Sequence, residues 1–454
     1  MTYRRIDRFK RQDSRFKNPE SGILNQMSVI KKIIIWILTF EAKAIISKYK
    51  PFMVAVTGSV GKTSTKDAIY DVLKDQGRYV RKSHKNLNSD IGLPLTIIGV
   101  PNAWHDASGW LKNIYSGLRL AMFKGDYPDI LILEVGADHP GDIKRVTRWL
   151  HPDISVITRV SRTPVHVEFF DSPEQVFEEK AALAGAVKSG GTLVVFGDDD
   201  LTMSMGDIVK DKGAKIVSYG MDEKAAVRAS NAKNSLEGLS FELAFDGKSA
   251  PVAVKGVLGT GHVYSLLAAA AVGKARGLGI DVIAGALSAY SAPRGRMNLI
   301  QGINGSTVID DTYNSSPDAA ETALETLKAM ECSGAKVAVL GDMMELGKYA
   351  AEEHRKIGAL AARVVGRLYT VGQRSKLTAD EAVKSGMPRE SVESFDDANQ
   401  AAEYLKAVPQ SGDIILVKGS QSVRMERVVK ALMAEPDKAS ELLVRQEKVW
   451  LDKM

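Results

Sequence analysis

The segment Val54-Ala-Val-Thr-Gly-Ser-Val-Gly-Lys-Thr-Ser-Thr65 runs from an apolar strand through a Gly/Ser turn into Gly61-Lys62-Thr63. Residues of these types in this order build a phosphate cradle. The backbone N–H groups of the turn Gly58, Ser59, Val60 and Gly61, and of the helix start at Lys62, Thr63 and Ser64, converge on a polyphosphate. Lys62 neutralises its oxygens, and the Thr63 hydroxyl can ligate Mg2+. The general P-loop has a further Gly where this chain has Val56, so this is a compact variant in which Gly58 makes the turn. ATP or GTP is the expected ligand. An ordinary strand-to-helix turn is the bland alternative, and the helical pattern Asp67-Ala-Ile-Tyr-Asp-Val-Leu73 weighs against it.

Other positions suit the same chemistry. Ile130-Leu-Ile-Leu-Glu-Val-Gly136 is an apolar strand ending in Glu134, which in a P-loop sheet can reach Mg2+ directly or through water. His166 sits in a loop after another strand, where open α/β sheets form nucleotide sites. An imidazole there can ligate a metal or position a phosphate, and a lone His is as readily structural. Arg294 and Arg296 offer planar cations for clamping phosphates across a cleft. Asp310 and Asp311, followed by Asn314, end a later strand, and Lys418-Gly-Ser420 forms another anion-friendly turn.

Positioning such residues takes strands that alternate with helices. At 454 residues the chain has room for roughly three domains of about 150 residues. From Pro51 to about Ala292 the alternation predicts a central, mostly parallel P-loop-type sheet. Its strands are Met53–Val56, Ile130–Glu134, Ile154–Thr158 and Thr192–Phe196, and its helices Lys62–Gln76, Ser172–Lys188 and Val263–Arg276. Ile216–Lys255 reads as a small antiparallel insertion. The cluster Ser291-Ala-Pro-Arg-Gly-Arg-Met297 marks a break, and residues 293–454 read as a C-terminal Rossmann-like α/β domain. Its elements are predicted at Ser306–Asp310, Pro317–Met330, Lys336–Leu340, Ala350–Val364, Arg367–Val371 and Asp413–Val417.

Residues 1–50 differ. Arg4, Arg5, Arg8, Lys10, Arg11, Arg15 and Lys17 precede a helical apolar pattern through Ile33-Ile-Ile-Trp-Ile-Leu38, Phe40 and Ile45. The run is too short to span a bilayer. It reads either as a basic amphipathic helix in peripheral contact with a membrane or as a helix docked on the protein's own core, the commoner use of apolar helices. The single cysteine, Cys332, excludes an internal disulfide and fits a reducing cytoplasm. A net charge of +6 is modest for this length, and no nucleic-acid partner is expected.

Together and in this order, several segments resemble the Mur ligase family, ATP-dependent amide-bond-forming enzymes of peptidoglycan assembly. They are Thr57–Thr63, Asn86–Pro94, Glu134-Val-Gly-Ala, His166–Phe170, Arg294–Met297, Asp310–Asn314, Leu340–Gly347 and Lys418–Ser420. The likeness is greatest to the D-alanyl-D-alanine-adding branch. It implies an acyl-phosphate mechanism in a monomeric cytoplasmic enzyme, with a cell-wall precursor and D-alanyl-D-alanine as small-molecule partners. It also implies ATP and Mg2+, the latter at two sites. Thr63 and Glu134 would serve the first metal; His166 and Lys180, the latter carbamylated, would serve the second. Asp311 and Asn314 would hold the nucleotide, Arg296 its phosphates, and Asn86, Asn88, Ser89 and Asp90 the substrate. The family's N-terminal UDP-sugar-binding domain is shortened or absent here. The loop reads Asn88-Ser89-Asp90 where the family has Asn-Asn-Glu, and Gly261-His262 stands where the family has a His and an amide. Two other readings stay open: a ligase of the same mechanism acting on a folate or polyamide, and an ATP-binding membrane-associated scaffold.

Overall fold

The computed structural model describes residues 19–84, 87–104, 106–160, 170 and 172–451. Asn86 and His166 lie outside the described residues. The first six helices are α1 (Pro19–Tyr49), α2 (Lys62–Leu73), α3 (Gly92–Ile98), α4 (Ala107–Met122), α5 (Asp142–Val146) and α6 (Pro173–Gly185). The chain forms two compact units, one from residues 1–50 and 90–127, the other from 51–89 and 128–454. The N-terminal segment therefore does not stand alone, because residues 90–127 join it.

The first unit is helical. One face of α1 buries Leu38, Ala42 and Ile45. Gly117 lets α4 come close, since a Cβ there would lie 2.0 Å from Glu41 Oε2. At the other end Lys48 Nζ donates to the carbonyls of Leu120 (2.9 Å) and Phe123 (2.7 Å), a cation set on the C-terminal end of α4. Tyr49 stacks on Tyr127 with ring centroids 4.5 Å apart.

The second unit carries both sheets. Nine strands form the first: β1 (Phe52–Thr57), β2 (Val80–Lys82), β3 (Ile130–Glu134), β4 (Ile154–Ile157), β5 (Thr192–Phe196), β6 (Lys215–Gly220), β7 (Val227–Ser235), β8 (Gly238–Phe245) and β9 (Lys248–Lys255). Their order is β2-β3-β1-β4-β5-β6-β7-β8-β9. The pairs from β2 to β7 are parallel, and β7, β8 and β9 are antiparallel. The segment expected as a separate insertion thus extends the central sheet. Its alternating burial, as in β9, is that of a sheet with one covered face. The helix Thr260–Ala275 lies in the resulting core, with Val263, Leu266, Leu267 and Ala270 fully buried beside Ile69 and Leu73 of α2.

The second sheet has six strands: β10 (Asn298–Gln301), β11 (Thr307–Asp311), β12 (Lys336–Gly341), β13 (Arg367–Val371), β14 (Val392–Phe395) and β15 (Ile414–Lys418), in the order β10-β11-β15-β12-β13-β14. Only β10 runs antiparallel to its neighbour. Strands β10 and β14 have no counterpart among the predicted elements. Both are four residues long and half-exposed, so no run of apolar residues announces them. In register, Asp311 of β11 stands opposite Lys418 of β15, which sets a carboxylate and an ammonium side by side at the sheet's C-terminal edge.

Candidate functional site

The phosphate cradle begins where β1 ends. Gly58 has φ +145, and a Cβ there would lie 1.9 Å from Thr158 Oγ1, so only glycine fits between the two strand ends. Ser59 N donates to Arg159 O at 2.9 Å, which ties the turn to the end of β4. Gly61, at φ +85, precedes α2 without a side-chain cap and leaves the first N–H groups of the helix facing the cavity. Lys62 Nζ donates to the carbonyls of Gly58 (2.8 Å) and Ser59 (3.2 Å). Burial pushes its pKa down, and Glu134 partly offsets this.

Glu134 ends β3 almost fully buried. Its Oε1 accepts from Thr63 Oγ1 and Asn88 Nδ2, both at 3.2 Å. Its Oε2 has no hydrogen-bond partner and lies 3.4 Å from the buried Lys66 Nζ. A carboxylate with one oxygen to spare, next to a threonine hydroxyl at a phosphate cradle, is a donor set that fits Mg2+. Two protein oxygens suffice, because Mg2+ keeps waters and takes phosphate oxygens as ligands. No cluster of three or more His, Cys, Asp or Glu suited to a metal occurs among the described residues.

Lys180, on α6, is buried and held at a pKa of about 7, first by desolvation and then by the charge of Lys62. Its neighbour Glu179 places it: the Glu179 carboxylate accepts from Gly141 N at 2.8 Å and from Ile143 N, capping α5.

The other wall comes from the C-terminal domain. Arg296 stacks over Tyr313 at 4.2 Å from the ring centroid, and its buried Nε has no hydrogen-bond partner. Arg294, the other arginine of the Arg-Gly-Arg cluster, is used elsewhere: its guanidinium donates to Ser440 O at 2.9 Å and does not line the cavity. Asp311 meets Lys418 Nζ at 2.6 Å, and the same ammonium donates to Asn314 O at 2.9 Å. Asp310 is wholly buried. Its Oδ1 accepts from Thr312 N and Oγ1, its Oδ2 has no partner, and burial raises its pKa to about 7. His262, at the start of the helix Thr260–Ala275, donates from Nε2 to Arg296 O (3.0 Å), with Nδ1 3.4 Å from the Tyr290 hydroxyl. Desolvation holds its pKa near 4, so it is neutral and ties the central domain to the linker.

The cradle, Glu134 and the facing Arg296, Asp311 and Asn314 surround one cavity of about 540 Å3, in the range of small-molecule sites. Gly61, Lys62, Thr63, Ser64, Asn88, Ser89, Glu134, Arg296, Asp311 and Asn314 line it, as do Ser59 and Val60. Lys180 is not among the lining residues, and Asp90 belongs to the helical unit. Sequence reasoning missed Lys66 and Tyr313, and it read Lys418 only as part of a turn. For Lys66 a signal existed: it falls on the helix face of Ile69 and Leu73, at the spacing that buries a side chain.

Two family models match: the Mur ligase middle domain over residues 56–108 and 112–273, and the Mur ligase glutamate ligase domain over 295–421. UDP-N-acetylmuramoyl-tripeptide–D-alanyl-D-alanine ligase of Mycobacterium bovis is 32% identical over 84% of this chain and 73% of its own length. The chain is a Mur ligase. The Bacillus subtilis ligase of the same name is 28% identical, over 87% of this chain and 79% of that one. Among solved structures, MurF ligase from Thermotoga maritima in complex with ADP superposes with a TM-score of 0.72 at 26% identity, covering 89% of this chain and 84% of the other. The chain is accordingly an ATP-dependent, ADP-forming ligase.

Proposed function

We propose that this Mur ligase joins D-alanyl-D-alanine to a UDP-muramoyl tripeptide in peptidoglycan precursor synthesis. One observation carries the reading: the strand-end groups of both domains, Lys62, Thr63 and Glu134 from one and Arg296, Asp311 and Asn314 from the other, line a single cavity. The relatives named for this reaction support the choice of substrates.

In the proposed reaction an oxygen of the tripeptide carboxylate attacks the γ-phosphorus of ATP, and ADP leaves. The dipeptide amine then attacks the acyl carbon, loses a proton and displaces phosphate. Lys62 and Arg296 bind and orient the phosphates, and the N–H groups at Gly61–Ser64 hold them without reorganising. Thr63 and Glu134 would hold Mg2+, which when bound neutralises charge on the phosphoryl group. A second metal at His166 and Lys180 belongs to the same proposal. Lys180 is buried beside the cation Lys62. Addition of its neutral amine to CO2, with loss of a proton, would replace that repulsion by an attraction. Asn86, Asn88, Ser89 and Asp90 are proposed to meet the tripeptide side. The reading takes the enzyme as a cytoplasmic monomer in peripheral contact with a membrane through residues 1–50.

The test is phosphate release from ATP and Mg2+ with the UDP-muramoyl tripeptide, with and without D-alanyl-D-alanine. Release that requires both is expected. Silence with ATP binding intact would overturn the substrate assignment. For the carbamate, Lys180→Ala should lose activity and regain part of it with added short carboxylates; an active variant discards it.

A further inference from the structure

We propose that the exposed face of the helical unit is a docking surface for an anionic membrane. On α4 the residues Leu111, Tyr115, Leu118 and Met122 recur at helical spacing and are all exposed, Leu111 at 70% and Met122 at 71%. Phe123 continues the patch. Lys112 and Arg119, seven positions apart on α4, flank this stripe, and Lys124 follows it. The opposite side of α4 buries Asn113 and Gly117, so the stripe is not the face that packs inside the unit.

Helix α1 repeats the arrangement. Its inner face buries Leu38, Ala42 and Ile45, while Ile33, Trp36 and Phe40 point outward; Trp36 is 70% exposed and stacks on Phe40 at 6.3 Å. Lys32 and Lys43 are exposed on the same helix. A helix that is apolar on both sides ordinarily buries both, and a contiguous exposed patch marks an interaction surface.

Charge selects the occupant. Lysine and arginine edge the exposed stripes: of the unit's carboxylates, Glu41 is buried, Asp106 caps α4, Asp90 precedes α3, and the exposed Asp126 lies beyond Lys124, after α4 has ended. Seven further basic residues precede α1 in the sequence, between Arg4 and Lys17. A second copy of the chain would bring like charges face to face. An anionic lipid surface takes aromatic and aliphatic side chains at the acyl boundary and cations at the headgroups, the two signals that stable peripheral binding requires. No helix among the described residues is long and apolar enough to cross a membrane, so the contact lies in the plane of the interface.

This deepens the peripheral contact proposed above by adding α4 and naming the lipid class, and it is independent of the ligase reading. The experiment is flotation of the full chain with vesicles of phosphatidylcholine alone and of phosphatidylcholine with phosphatidylglycerol, with substrate-dependent phosphate release measured on the same preparations. Flotation with the anionic vesicles only, weakened by salt, is expected. Lys112→Glu with Arg119→Glu should cut the bound fraction about tenfold or more, and Leu118→Ser with Met122→Ser should do likewise, with phosphate release in solution unchanged. Equal flotation of wild type and these variants would overturn the surface. So would a concentration-dependent dimer in sedimentation velocity, abolished by the serine variants, in a chain that ignores vesicles. Loss of phosphate release with flotation intact would fail the ligase reading alone.

Discussion

At the edge of the central sheet Glu134 lies 3.4 Å from Lys66; at the edge of the C-terminal sheet Asp311 lies 2.6 Å from Lys418. Both lysines are almost wholly buried, and both carboxylates end a strand. The second pair is closed: Lys418 bonds the carboxylate and the Asn314 carbonyl, fixing the loop that presents Tyr313 and Asn314. The first is open: Glu134 is satisfied on one oxygen only, and Lys66 makes no hydrogen bond to it while still balancing the charge. One lysine builds structure; the other balances a buried carboxylate's charge without occupying it. That suits the Mg2+ ligand proposed for Glu134, left open for a metal that would come and go with the nucleotide.

The largest effect should fall on activity. Glu134→Gln keeps the shape and removes the charge at the open pair, so substrate-dependent phosphate release should drop by about 10²–10³ in kcat. Asp311→Asn at the closed pair should act mainly on KM for ATP, by about tenfold. Equal kcat losses in steady-state kinetics would erase the distinction between the pairs.

Removing each cation sharpens it. Lys66→Met strands the buried Glu134 carboxylate and should lose about 3 kcal/mol of stability in denaturant unfolding; Lys418→Met, whose partner Asp311 is only partly buried, should lose less, about 1–2 kcal/mol. Mg2+ with ADP should restore much of the loss in Lys66→Met, because the metal replaces the missing charge at Glu134. Lys418→Met should gain no more from Mg2+ than the wild type does. Equal rescue would mean that Glu134 does not hold the metal.

Asp310, one residue before the closed pair, has no cation of its own. Burial raises its pKa from 3.8 to about 7, so the folded state resists ionisation. An acid with a raised folded pKa lowers stability as pH climbs from its unfolded value, near 4, to about 7. Asp310→Asn removes that slope. The variant should match the wild type near pH 4 and exceed it by up to about 4 kcal/mol at pH 8, read from urea unfolding across pH.

The central-domain half of the candidate site was legible because a phosphate cradle is written locally. Gly58, Gly61, Lys62 and Thr63 are consecutive or nearly so, and Glu134 and Asp311 each end an apolar run that declares a strand. What stayed hidden depends on distant partners. Lys66 stands on the buried face of its helix, but its partner appears only when β3 brings Glu134 beside it, and Lys418 acquires its role only through the pairing of β11 with β15, separated by about a hundred residues. Arg294 shows the converse: a motif residue of the right type for phosphate binding turns to the Ser440 carbonyl instead. Helix α4 was overlooked for a different reason. Its apolar residues face solvent, so the pattern that usually reveals a core says nothing about where the helix packs.

Glu41 extends the comparison to a carboxylate with no cation at all. It is fully buried between α1 and α4, neither oxygen has a hydrogen-bond partner, and desolvation lifts its pKa to about 7. Above that pH the helical unit must hold a bare carboxylate against Gly117, whose missing Cβ leaves just enough room. Glu41→Gln keeps the size and removes the charge. The sign matches that of Asp310: no difference near pH 4, and a gain that grows as pH rises to about 7 and then levels off. The partner-free oxygens set the scale at about 1–2 kcal/mol, among the smallest of these effects. Proteolysis or hydrogen exchange confined to α1 and α4 would report it, whereas a global melt averages it with the larger unit. A gain that is already full at pH 4 would show that Glu41 is not titrating there, and that shape rather than charge limits the contact between α1 and α4.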